Sequence, residues 1–217
     1  TNGQFISAKN FVDVNWATGY DKDGRPIEVA AARDPAKGMD SVPGPFGAHN
    51  WHSMSYSPVH RFAYVPAQNI PIGMIDDKGW RHDEKIPGLP MSYTGWNLGK
   101  RFIAPTSKPF GRLIAWDPIQ QKEAWRVEHT SPWNGGTLAT AGDLVFQGTA
   151  DGRFVAYNAG NGEKLWDSAT GSGVVAAPVT FEVDGKQYVS IAVGWGGVYG
   201  LAARATDYKT PGTVYTF

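Results

Sequence analysis

His49 and His52 lie three residues apart, a spacing that zinc sites sometimes use. On a strand that spacing turns the two imidazoles to opposite faces, and no acidic residue or third histidine stands close by, so the pair predicts no metal centre. The chain has no cysteine, which removes disulfides, thiolate metal ligands, thiol nucleophiles and covalent haem attachment from these 217 residues. Gly142, Gly152 and Gly162 fall in turns, with no spacing that builds a phosphate-binding loop. Asn50 and Trp51 set an amide, which can bond a carbonyl or a carboxylate, beside an indole. From the residues alone this pair reads as a strand-end cap followed by a core tryptophan.

The elements that must position such groups follow from a repeat. The eleven residues Ala115-Trp-Asp-Pro-Ile-Gln-Gln-Lys-Glu-Ala-Trp125 recur as Ala156-Tyr-Asn-Ala-Gly-Asn-Gly-Glu-Lys-Leu-Trp166, with Ala first, Asp117 or Asn158 third, a turn, a Lys, and Trp eleventh. The two tryptophans are 41 residues apart, inside the range of roughly 40 to 50 for propeller blades. Between them, 137–141 predicts an inner strand, 144–147 the next, 153–157 a half-buried third and 163–166 an outer strand. Ala141-Gly-Asp143, Ala150-Asp-Gly152 and Asn161-Gly162 supply turns whose residues tolerate positive φ. Four short strands make one blade, and Trp125 and Trp166 are its locking core. The fold class is all-β, a β-propeller.

Composition agrees. The chain has 27 Gly and 15 Pro, which favours many turns over long helices. Nine tryptophans offer large apolar groups for the narrow gaps between stacked sheets. Formal net charge is zero and charged residues make up 18%, so nothing suits a polyanion, and nucleic acid is excluded as a partner. No apolar run approaches the roughly 20 residues that span a bilayer.

The remaining segments are less regular. Thr1-Asn-Gly-Gln-Phe5 reads as the second half of the eleven-residue pattern, so the chain is expected to begin inside a repeat of a larger propeller. With blades of about 45 residues there is room for about four. Thr206 to Phe217, with Pro211 and Gly212, reads as a linker. The stretches 30–45 and 76–99 are long for plain connections, and long ordered loops are usually functional. Between them, 50–56 and 62–66 predict paired strands around a turn at Ser57-Pro58.

Five segments carry a family likeness: Gly47-Ala-His-Asn-Trp-His-Ser-Met54, Leu113-Ile-Ala-Trp-Asp-Pro118, Pro132-Trp-Asn-Gly-Gly-Thr-Leu-Ala-Thr-Ala-Gly142, Gly148-Thr-Ala-Asp-Gly152 and Val193-Gly-Trp-Gly-Gly-Val-Tyr-Gly200. In these, over essentially its whole length, the chain resembles the pyrroloquinoline-quinone (PQQ)-dependent alcohol dehydrogenases. Within them it is most similar to the quinohaemoprotein group, whose propeller is followed by a cytochrome c domain. The resemblance implies a superbarrel of eight four-stranded blades joined by tryptophan-docking motifs. Residues 1–205 would be the C-terminal half of that propeller, and 206–217 the start of a linker toward a cytochrome c domain absent here. It further implies PQQ with calcium on the propeller axis and oxidation of a primary alcohol to an aldehyde by hydride transfer. Electrons would pass to haem c, and the protein would be periplasmic.

By the same resemblance the calcium ligands, the catalytic aspartate and an adjacent-cysteine disulfide belong upstream of Thr1, and the haem site downstream of Phe217. No catalytic or metal-binding residue is therefore assigned, Asp13, Asp34, Asp76 and Asp117 are not promoted, and the isolated chain is expected to be inactive without the missing N-terminal half. What remains is one wall of the cofactor site. Asn50 and Trp51 match the family's cofactor-contacting pair, Val198 stands where relatives face the quinone, and Asn134 aligns where methanol dehydrogenases have a tryptophan. Trp80, Met91 and Trp96 either line a substrate funnel, as that region does in relatives, or anchor their own loop. A non-enzymatic propeller scaffold for protein assembly remains the alternative, since fold alone does not choose. Asn50-Trp51 and Trp195-Gly-Gly, which a scaffold would not need, favour the enzyme.

Overall fold

A computed structural model of the chain describes residues 2–34, 37–74, 108, 110–195 and 211–217. In chain order the strands are β1 (Ala17–Tyr20), β2 (Pro26–Glu28), β3 (Met39–Ser41), β4 (Ser55–Ser57), β5 (Phe62–Asn69), β6 (Ile72–Met74), β7 (Phe110–Asp117) and β8 (Lys122–His129). They continue as β9 (Thr137–Ala139), β10 (Leu144–Thr149), β11 (Arg153–Asn158), β12 (Lys164–Ala169), β13 (Val179–Val183), β14 (Lys186–Val193) and β15 (Thr213–Thr216). A 3-10 turn at Ala30–Arg33 is the sole helical element among the described residues.

The chain divides into two compact units, Thr1–Gly47 with Asn69–Lys108, and Ala48–Gln68 with Pro109–Phe217. The first holds two antiparallel ribbons, β1 with β2 and β3 with β6. Asp21 Oδ1 accepts the N–H groups of Asp23 and Arg25, each at 2.9 Å, and so closes the β1–β2 turn.

The second unit carries the regular architecture. Strands β4-β5-β7-β8 form one four-stranded sheet, β9 to β12 the next, and β13-β14-β15 a third. Alternation along each strand sends successive side chains to opposite faces, so one strand serves two cores. Tyr64, Leu113 and Ala115 of the first sheet pack with Val145, Val155 and Tyr157 of the second and with Ala159 beyond β11. Phe154, on the other face of β11, packs with Val174, Ile191 and Val193.

Trp125 joins the first two sheets. From β8 its Nε1–H donates to the carbonyl of Ala159 at 3.0 Å. Its ring lies over Gly162, where a Cβ would sit 2.6 Å from the indole and where φ is +76°, so the turn needs glycine twice over. The buried Tyr64 hydroxyl donates to the same Ala159 carbonyl at 2.9 Å. One repeat later, Trp166 meets Phe217 edge-on with ring centroids 5.1 Å apart, and Phe154 at 6.0 Å. Both tryptophans thus bridge neighbouring sheets, as the repeat predicts.

The four strands expected between Trp125 and Trp166 are present as β9 to β12, in the order expected. Two expectations need correction. Residues 50–54 are not a strand: Trp51 N–H turns to Asn50 Oδ1 at 2.9 Å and Ser53 C=O receives the N–H of Thr137 at 2.8 Å, and pairing with β5 begins only at Ser55. The linker expected from Thr206 does not hold at its end, where Thr213–Thr216 pairs with β14 and Phe217 exchanges backbone hydrogen bonds with Val189 at 2.9 and 3.0 Å. The β-branched and aromatic residues Thr213, Val214 and Tyr215 outweigh Pro211 and Gly212 there. Against the expected four or so blades, the described residues give two four-stranded sheets, one three-stranded sheet and the two ribbons. The long segment 76–99 lies outside them.

Candidate functional site

The loop entering β4 is pinned at both ends. His49 Nδ1–H donates to the Pro66 carbonyl of β5 at 3.0 Å, and Ser53 accepts from Thr137 at the start of β9. Between these pins Trp51 projects outward, 57% exposed. Within these residues Trp51 is therefore not packed in a core. The Asn50 amide oxygen accepts the N–H of its neighbour Trp51 at 2.9 Å, within a loop rather than at a strand end.

Beneath Trp51 lie two buried rings, His52 and Trp133, neither of which the sequence marks as a support for it. His52 stacks against Trp51 at 28° with centroids 5.7 Å apart. Trp133, fully buried, meets His52 edge-on at 4.9 Å and Trp51 at 5.1 Å. Burial, and secondarily the nearby His49, push the His52 imidazole down to about 4, so the ring is neutral at physiological pH. Its Nε2 is buried without a hydrogen-bond partner among the described residues.

Trp133 is held in turn by a polar bracket. The buried Asn134 donates through Nδ2 to Ser131 C=O at 2.8 Å and accepts the Ala150 N–H on Oδ1 at 3.0 Å. Gln147, fully buried, donates to the Gly135 carbonyl at 2.9 Å and accepts from His129 Nε2–H at 2.9 Å. Because the Gln147 amide group is committed to Gly135, its oxygen must be the acceptor, which fixes the proton on Nε2 of His129. Burial lowers the pKa of His129, so it too is neutral. Gly136 faces Ser53 so closely that a Cβ would lie 2.7 Å from Ser53 Oγ and 2.8 Å from Ala177 Cβ.

The structure therefore brings Asn50, Trp51 and the loop of Asn134 together through Trp133. Val198, Trp80, Met91, Trp96 and Asp76 lie outside the described residues. Asp34 and Asp117 serve turns, Asp117 Oδ1 accepting from Ile119 and Gln120 at 2.8 Å each. Among the described residues no group of three His, Cys, Asp or Glu is placed to hold a metal, and no helix is long and apolar enough to cross a membrane.

Residues 26–189 match the family model described as the glucose/ethanol/alcohol dehydrogenase β-propeller domain with PQQ. The whole chain is 68% identical to a quinohemoprotein alcohol dehydrogenase of Comamonas testosteroni, of which it covers 31%. It is 61% identical, again over its whole length, to a 1-butanol dehydrogenase (cytochrome c) of Thauera butanivorans, of which it covers 32%. The crystal structure of the Comamonas testosteroni quinohemoprotein alcohol dehydrogenase superposes with a TM-score of 0.90 at 67% identity, over 99% of this chain and 32% of that one. The chain thus spans about a third of the length of these relatives.

Proposed function

Because the chain belongs to the PQQ-dependent glucose/ethanol/alcohol dehydrogenase β-propeller family, we propose that it is one part of a quinoprotein alcohol dehydrogenase that oxidises primary alcohols to aldehydes. The observation that carries this reading is Trp51, an indole left exposed although its underside rests on two buried rings. Large aromatics are ordinarily placed where they bury area, and one braced from within but open outward fits a planar heteroaromatic ligand.

The residues present suit PQQ. Trp51 offers an aromatic face, and the amides of Asn50 and Asn134 are of the type that bonds its carbonyls and carboxylates. Each amide already serves the loops, so Asn134 contributes chiefly by holding Trp133 in place, and Val198 is proposed as a further contact. When bound with calcium, PQQ supplies an acceptor for the hydride of an alcohol carbon. This chain's own residues bind and orient: Trp51 excludes water from one face of the ligand, and the neutral His52 adds no charge beneath it. The base, the calcium ligands and the remaining blades of an eight-bladed propeller are assigned to the rest of the full-length protein. Haem c in a cytochrome domain is the proposed electron acceptor, in line with the relatives' names. The periplasm is the proposed location, and Thr213–Thr216 counts with the propeller rather than with a linker.

The test is to purify the full-length protein, record its quinone absorption, and assay alcohol-dependent reduction of an artificial electron acceptor with calcium. Bound quinone and turnover are expected, with Trp51→Ala weakening PQQ binding. A protein that takes up no quinone despite added PQQ and calcium refutes the reading in favour of a scaffold.

A further inference from the structure

Trp51 is positioned by the neighbouring sheet rather than by its own. Its loop leads into the first sheet, yet the groups fixing its indole are His52, which is locked by Trp133, and Trp133 itself, which enters the second sheet at β9. The loop around Trp133 is made rigid by Asn134 and by the Gln147 bond to Gly135. His52 is 4% exposed and carries a ring nitrogen without a partner among the described residues, a cost that a leucine in the same space would avoid. A neutral, half-unsatisfied imidazole in that place is hard to account for by stability alone. We propose that His52 is a positioning residue whose ring, clamped by Trp133, sets the plane in which Trp51 meets the cofactor.

This rests on the reading of Trp51 as part of the cofactor wall, and it adds a residue that acts through Trp51 without touching the ligand. Three measurements on the full-length protein test it. PQQ is titrated into apoprotein at saturating calcium to give a dissociation constant. Far-ultraviolet circular dichroism of the apoprotein, taken as the difference from Trp51→Ala, isolates the exciton couplet of the Trp51–Trp133 pair from the coupling of the other aromatics; that couplet depends on the angle between the two indoles and not on turnover. Urea unfolding establishes that each variant folds. His52→Leu fills the space without an aromatic ring and removes the orphaned nitrogen, so it should fold at least as well as the parent. It should nevertheless weaken PQQ binding on the order of tenfold and alter the couplet. His52→Phe keeps a flat ring and should restore both. Trp51→Ala separates the two readings: if it leaves PQQ binding unchanged, the cofactor-wall reading itself fails. If Trp51→Ala weakens binding while His52→Leu binds PQQ as the parent does with an unchanged couplet, the positioning role alone is overturned. It is also overturned if His52→Phe behaves like His52→Leu, because the nitrogen rather than the ring would then be what matters.

Discussion

The carbonyl of Ala159 offers a quantitative test of how the sheets are joined. Two donors share it, the Trp125 indole from β8 at 3.0 Å and the Tyr64 hydroxyl from β5 at 2.9 Å, and Ala159 is 1% exposed. Burial pushes the Tyr64 phenol up to about 12, so it remains a donor at any ordinary pH. Replacing Trp125 by Phe removes one hydrogen bond, worth about 1 kcal/mol net, and adds a loss of packing against Gly162 and Tyr64. Replacing Tyr64 by Phe removes the other at about the same cost. In either single variant the carbonyl keeps one partner. In the double variant it keeps neither, and an orphaned buried acceptor costs about 1–3 kcal/mol beyond the two bonds. The packing term of Trp125→Phe occurs on both sides of the cycle and largely cancels, so the coupling should be about 1–3 kcal/mol, with the double variant worse than the sum. The assay is equilibrium urea unfolding of the full-length protein, followed by far-ultraviolet circular dichroism because Trp125 itself contributes fluorescence. Additivity within about 0.5 kcal/mol would refute the shared-acceptor account and leave Trp125 as apolar filling.

Three further outcomes follow from the same packing. The His52 pKa is lowered to about 4 on folding, from about 6.5 in an unfolded chain; the unfolded state then binds the extra proton first, so stability is intact above pH 6.5 and falls as pH drops toward 4. The His52 share of the loss reaches about 3 kcal/mol, and the acid loss should be smaller by about that amount in His52→Leu when urea midpoints at neutral and acid pH are compared, the remainder coming from groups such as the buried His129. Gly162→Ala must hold φ near +76° and displace the Trp125 ring, at about 1–2 kcal/mol for the backbone and about 1–3 kcal/mol for the overpacking; a thermal midpoint equal to the parent's would contradict this. Val179, Phe181 and Val183 stand 57%, 43% and 49% exposed along one face of β13, so the 217-residue chain alone should self-associate, and a sharply melting monomer in light scattering would sink that expectation.

Where the sequence was legible, the signal was local. The four strands β9 to β12 show as short alternating runs between Asp-Gly and Asn-Gly turns, and the docking role of Trp125 follows from its place in a repeated turn. The mix of apolar and polar residues in 50–54 imitates a strand, while the Trp51 N–H is taken by Asn50 and the Ser53 carbonyl by Thr137. Whether Trp51 is core or surface could not be read locally at all. Its surroundings depend on Trp133, which follows all four strands of the first sheet in the chain, and the burial of His52 depends on the same contact. Gln147 and His129 gave no signal, because a polar residue near a strand end is ordinarily a solvated one. Here the two satisfy each other, and Gln147 also satisfies the Gly135 carbonyl inside the fold.

The candidate site and the sheet-to-sheet joint turn out to be two ends of one interface. At the β8 end the first two sheets are tied by Trp125 and Tyr64 to Ala159, and at the β4 end by Ser53 to Thr137, whose hydroxyl lies 2.8 Å from Ser55 Oγ and donates to Tyr64 C=O at 3.3 Å. Tyr64 takes part in both, through its hydroxyl at one end and its carbonyl at the other. A packed interface of this kind has few ways to yield gradually, since side chains at crystal-like density shift between discrete arrangements. The angle of Trp51 is therefore a property of how two sheets are stacked, not of a loop's own preference. Gly136 marks the tightest point: a methyl group there would press on Ser53 and on Ala177 together, and the Trp51 loop would have to lift away from the second sheet.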